Sequence, residues 1–152
     1  MRYNNKELNF SLTLPEGWHY IDEKAYIAQR VMIGYESAQR AIFALLKIIN
    51  GVQKNDICVY KHDGKFKTPK KYEEGVAIDK RRIEESNGTI LKCESMEVNQ
   101  RKDYCVLFAR GGMKTLCWYA LVGLHLIRGE IQVLKEGDDK VLRDMFLSLN
   151  II

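Results

Sequence analysis

From Leu116 to Ile127 runs the longest apolar stretch of the sequence, 12 residues broken only by Gly123 and His125. Leu116, Trp118, Ala120, Val122, Leu124 and Leu126 take alternate positions, and most residues between them are apolar too. A strand with one wet face alternates in polarity, whereas a strand covered on both faces does not. This one is therefore expected at the centre of an antiparallel sheet with helices on both sides. It is also too short to cross a bilayer, which takes about 20 apolar residues in a helix.

Neighbouring segments supply the rest of that sheet. Strands are predicted over Thr89–Val98, Tyr104–Arg110, Thr115–Ile127 and Glu130–Leu134. Gly111-Gly112 is a hairpin signal, because paired glycines accept the positive φ angles of a type I′ turn, and Arg128-Gly129 is read as the next turn. Upstream, Phe10, Leu12 and Leu14 alternate with Asn9, Ser11 and Thr13 as in a half-buried strand at a sheet edge. Pro15 ends it, and Gly17 lets the chain turn so that Trp18 closes one end of the core. Val31, Ile33 and Tyr35 suggest another strand, and Ala41–Ile49 a more buried one.

Two helices carry clear start signals. Thr68-Pro69 pairs a hydroxyl cap with proline in the first turn, and Gly88 is placed as the stop. Tyr72, Val76 and Ile83 give this helix a thin apolar stripe. Near the C-terminus Asp138-Asp139 is read as the cap of a helix whose apolar face is Val141, Leu142, Met145, Phe146 and Leu149. The fold class is α+β, and no linker or repeat divides residues 1–152, so one domain is expected.

Composition excludes several classes. With 24 Lys and Arg against 20 Asp and Glu, the net charge of +4 is too small for a dedicated nucleic-acid binder. The opening MRYNNKELNF has no apolar core of a secretory signal, which predicts a cytoplasmic location. Cys58, Cys93, Cys105 and Cys117 lie far apart with no CxxC pair, so they are expected as reduced, buried small hydrophobes. Their even number also permits disulfides. No cofactor and no metal is expected, since no close ligand pair occurs.

Catalytic patterns are equally sparse. The sequence holds no GxSxG, HExxH, P-loop or GxGxxG. A thiol enzyme would need a base beside Cys58 or Cys117, and His62 and His125 are the candidates. Placed on one strand, Cys117 and His125 would stand roughly 26 Å apart. The basic run Lys61–Lys71, with Phe66, Tyr60 and Tyr72, allows weak single-stranded nucleic-acid binding by stacking. A solvated loop before a helix explains it as well. A small hydrolase or thiol enzyme is thus the alternative to a binding protein.

The segments FSLTLPEGW (Phe10–Trp18) and GEIQVLKEGDD leading into DKVLRDMFLSLNII resemble the PsbP-like superfamily. That group includes the extrinsic photosystem II subunit, Mog-type Ran-binding proteins and bacterial DcrB-like proteins. The resemblance implies an antiparallel sheet sandwiched between helices, α-β-α, and a binding, scaffolding or chaperone-like role rather than an enzyme. It implies a protein or peptide partner, with an adaptor or chaperone for a secreted effector as one form. Apolar residues of the segment after Trp18 either complete the core or, where left uncovered, offer a partner surface or a homodimer surface: Tyr20, Tyr26, Ile27, Met32, Tyr35 and Phe43.

Overall fold

The computed structural model describes residues 1–31 and 35–152, and of residues 35 and 36 the backbone alone. In chain order the elements are β1 (Arg2–Asn5), β2 (Phe10–Thr13), β3 (His19–Ile21), α1 (Lys24–Arg30), α2 (Tyr35–Gln39), β4 (Ala41–Ile49) and β5 (Val52–Lys61). There follow α3 (Pro69–Glu85), β6 (Thr89–Val98), β7 (Arg101–Arg110), β8 (Met113–Val122), β9 (His125–Gln132), α4 (Asp138–Leu147) and β10 (Asn150–Ile151). A seven-stranded antiparallel sheet has the order β3-β4-β5-β9-β8-β7-β6, and a three-stranded sheet the order β1-β2-β10. β8 lies inside the large sheet, as its two apolar faces require.

The faces of the large sheet follow from side-chain alternation. Leu116, Trp118, Ala120 and Val122 of β8 point with Phe43, Leu45, Ile57, Val59, Ile127 and Ile131 into a core shared with α4 and the small sheet. Cys117 and Tyr119 point the other way, into a core roofed by Tyr72, Val76 and Ile83 of α3. Further along that second face, Ala44, Leu46, Cys58 and Tyr60 pack under Ile27, Val31 and Ala38 from α1 and α2. Helices thus cover both faces, and the roof of the second face comes in two separate pieces.

Glycines decide how closely the layers approach. A Cβ on Gly129 would stand 2.4 Å from Phe146 Cε2 and 3.0 Å from Leu142 Cδ1, so only glycine lets α4 settle on β9. Gly129 is therefore not a turn residue, and Arg128 lies mid-strand. The β8–β9 turn falls at Gly123-Leu124, where Gly123 has φ 60°. Gly111-Gly112, with φ 57° and 80°, does turn β7 into β8.

Several expectations are revised in detail. β2 is the middle strand of the small sheet, not an edge of the large one. Asn87, with φ 69°, takes the left-handed position at the end of α3, while Gly88 donates its N–H to the Ile83 carbonyl at 2.8 Å. Asp138 does not cap α4; its Oδ2 accepts from the N–H groups of Leu134 and Lys135, both at 3.0 Å, and ties down the preceding loop. Instead of a strand at Val31, Ile33 and Tyr35, a helix starts at Tyr35 and Val31 ends α1; Ile33 lies outside the described residues. β1, β3, β5, β10 and α1 are additions. Among the described residues, no helix is long and apolar enough to cross a membrane.

Candidate functional site

The gap between the two pieces of roof opens over β5, β9 and β8 and forms a cleft of about 640 Å³. Clefts of roughly 300–1,000 Å³ are the usual size of ligand sites. Its floor comes from the even-numbered residues of β9 and β5, since the odd ones face α4. Its walls are α3 on one side and Ser37 and Arg40 at the end of α2 on the other.

Arg128 is the centre of the floor. The residue is 8% exposed, yet it carries a permanent charge. Its Nη1 donates to Asp79 Oδ2 of α3, and its Nη2 donates to Glu130 Oε2 at 2.7 Å. The guanidinium lies 5.4 Å from the Tyr60 ring centre and 5.6 Å from that of Tyr119, one ring from β5 and the other from β8. Tyr119 in turn donates its hydroxyl to Asp79 Oδ2, and Tyr72 donates to the Tyr119 carbonyl at 3.0 Å. A charge buried this far is tolerated only with partners of this quality.

His62, just past β5, stacks on Tyr60 with ring centres 5.7 Å apart. Burial above all, then the charges of Arg128, Arg40 and Arg82, push its imidazole down to about 4 against the opposing pull of Asp79. The ring is neutral near pH 7. Burial also drives the Tyr60 and Tyr119 phenols well above their ordinary range. Three buried nitrogens of the cleft residues meet no hydrogen-bond partner among the described residues: Nε of Arg128, Nε of Arg40 and Nε2 of His62.

At the mouth the polar groups are freer. Arg110 lies over the Phe108 ring at 5.2 Å and donates to Ser86 Oγ at 2.6 Å. Arg40 reaches the exposed Asp63 at 3.5 Å. Arg82 is exposed and forms no ion pair among the described residues. Among those residues no group of three or more His, Cys, Asp or Glu is placed to hold a metal.

The six surface residues expected from the sequence do not form one patch. Ile27 is fully buried under α1 on the second face, and Phe43 is fully buried in the core of the first. Tyr20 is half-buried beside Phe43, with ring centres 5.6 Å apart. Tyr26 is 37% exposed and meets Arg30. Met32 lies outside the described residues, and Tyr35 is described only as the start of α2. The stacking surface near Lys61–Lys71 is occupied: Tyr60 and Tyr72 are buried, and Phe66 packs against α3 at Gly75.

The cysteines fall into two sets. Cys58, Cys105 and Cys117 are buried, and burial pushes Cys105 up to about 11 and the other two higher. Cys93 is exposed on the edge strand β6, contrary to expectation, and all four are free. Cys117 and His125 are on different strands; Cys117 pairs with Glu130 and His125 with Val122, so they remain far apart.

Sequence reasoning missed the cleft, although two signals point to it. Asp79 interrupts the stripe Tyr72, Val76, Ile83 at a position that faces inward, and Arg128 interrupts an apolar strand. Each reads as a solvated break when taken alone.

No protein-family profile matches the sequence, and no curated protein matches it. In structure the chain is similar to the solution structure of cyanobacterial PsbP (CyanoP) from Synechocystis, with a TM-score of 0.67 at 13% identity, over 100% of this chain and 92% of that one. It is similar to the Saccharomyces cerevisiae Ran-binding protein Mog1p, with a TM-score of 0.50 at 11% identity, over 99% and 94% of the two chains. A third likeness, to a Bacteroides thetaiotaomicron crystal structure, has a TM-score of 0.51 at 12% identity and spans 99% of this chain but 48% of that one. At such identities the likeness is one of architecture: the chain has the PsbP-like α+β fold.

Proposed function

We propose that the chain is a non-catalytic binding module for a protein or peptide, and that the cleft over β5, β9 and β8 is where its partner engages. The observation that carries this reading is the commitment of the cleft's acid–base groups to one another. Asp79 and Glu130 both serve Arg128, and Tyr119 holds Asp79 as well. A general base must be free to take a proton from a bound substrate, and these carboxylates are occupied. His62 is too weak a base near neutrality, and the buried thiols are held away from thiolate. What remains is a rigid, shaped surface with spare hydrogen-bonding capacity, which suits recognition.

The fold supports the same reading, since one structural neighbour is named as a Ran-binding protein. An adaptor or chaperone for a secreted effector is the form that the sequence resemblance favours. The pairing of β10 with β2, with Ile152 N–H donating to the Asn9 carbonyl at 2.8 Å, supports taking residues 1–152 as one domain.

A photo-crosslinking residue placed at Met113, on the cleft rim, tests the proposal in the source cells. A protein adduct is expected from that position and none from Leu91 on the far edge strand. Turnover of a small metabolite by the purified protein, with no adduct at Met113, would falsify it.

A further inference from the structure

Four guanidiniums line the cleft, those of Arg40, Arg82, Arg110 and Arg128, against the carboxylates of Asp56, Asp79 and Glu130. The positive charge is unevenly placed. On the floor, Arg128 sits between Asp79 and Glu130, so that cluster has no positive charge to spare. At the mouth, among the described residues, Arg82 has no ion-pair partner and Arg110 is held by a neutral hydroxyl and an aromatic face. Arg40 pairs with an aspartate that is itself 83% exposed, and its buried Nε stays unpaired. His62 lines the same cleft as Arg40, Arg82 and Arg128, and the charge of each of the three acts on its ring.

The unused hydrogen-bonding positions share a polarity. Among the described residues the Nε–H groups of Arg128 and Arg40 are donors without acceptors, and Arg82 and Arg110 have N–H groups to spare. A buried donor left unpaired costs free energy that an acceptor from a ligand recovers. Guanidinium forks match carboxylates best, because two parallel N–H groups meet two oxygens. Beside them Ile83, Phe108 and Met113 supply apolar wall.

Resting on the binding role argued above, we propose that the cleft recognises an acidic peptide segment. An Asp or Glu carboxylate of the partner seats among Arg40, Arg82 and Arg110, and the residue beside it packs on Phe108 and Met113. Arg40, Arg82 and Arg110 exclude a basic segment from the same cleft by like-charge repulsion.

A random peptide library displayed on phage and selected on the immobilised full chain gives the test. Enrichment in Asp and Glu is expected, and a synthetic copy of a selected peptide should weaken about 10-fold or more when its acidic residue becomes the amide. Arg82→Ala and Arg110→Ala, both at exposed positions, should each weaken binding about 5- to 10-fold, and Arg82→Glu should abolish it. Lys70→Ala, outside the cleft, should leave it unchanged. Enriched peptides without acidic residues, still blocked by Met113→Trp, would overturn the acidic preference and leave the binding role standing. A library that yields no binder overturns both.

Discussion

Asp79 and Arg128 are 49 residues apart in sequence and meet at the floor of the cleft. Losing the Asp79 charge strips Arg128 of one of its two carboxylates and weakens the acceptor of the Tyr119 hydroxyl, leaving a buried charge network half-satisfied. Asp79→Asn should therefore lower stability by about 3 kcal/mol, read as a shifted urea midpoint at unchanged slope. His62 makes a different contribution. Asp79 and Arg82 face it from α3, Arg128 from β9 and Arg40 from the end of α2, with the rings of Tyr60 and Tyr119 beside it. Its folded value of about 4 lies below the ordinary 6.5, so between those pH values the unfolded chain binds the extra proton. Stability from this residue is full above about pH 6.5 and is lost on acidification towards pH 4, by about 3 kcal/mol in all. Urea titrations at several pH values should show that slope in the wild type and a shallower one in His62→Gln. Residue-scale pattern shows why the site was hard to read. Asp79 and Arg128 each break an apolar periodicity, but periodicity carries no information on which distant residue completes a pair.

At the scale of the element, the signals that read correctly are local ones. β4 and β6 have the boundaries that their composition suggests, and α3 starts where Thr68 Oγ1 accepts from the Lys71 N–H at 3.1 Å. β5 begins VQKND, too polar to announce a strand, although Asn50-Gly51 with φ 52° and 76° marks the hairpin that leads into it. Gly129 misled for a physical reason. Glycine serves both a turn and a close approach, and only tertiary packing separates the two uses. Gly129→Ala should cost about 1–3 kcal/mol by pushing Phe146 aside, and Phe146→Leu in the same chain should cost less than the two changes summed. Thermal or urea unfolding of the double-mutant cycle checks this; strict additivity would exclude the contact. Arg128 also fixes the register of β9, because a slip by one residue would turn its charge into the core beneath α4.

For the whole molecule, the layer order was legible because β8 is apolar on both faces, a property that only a covered central strand needs. The split in the helical roof was not, since it depends on how far α1, α2 and α3 each reach across the sheet. The thiols report the finished packing. One equivalent of a thiol reagent should react with the native chain, at Cys93, and four with the unfolded chain. Two or more fast equivalents would show that a core thiol is open. Pairing of β10 with β2 reaches further still, into the order of events during synthesis. β2 leaves the ribosome well before its partner at Asn150–Ile151 is made. Until then Phe10, Leu12 and Leu14 stay without that neighbour, so the small sheet is the long-range, late-closing step in the assembly of the fold.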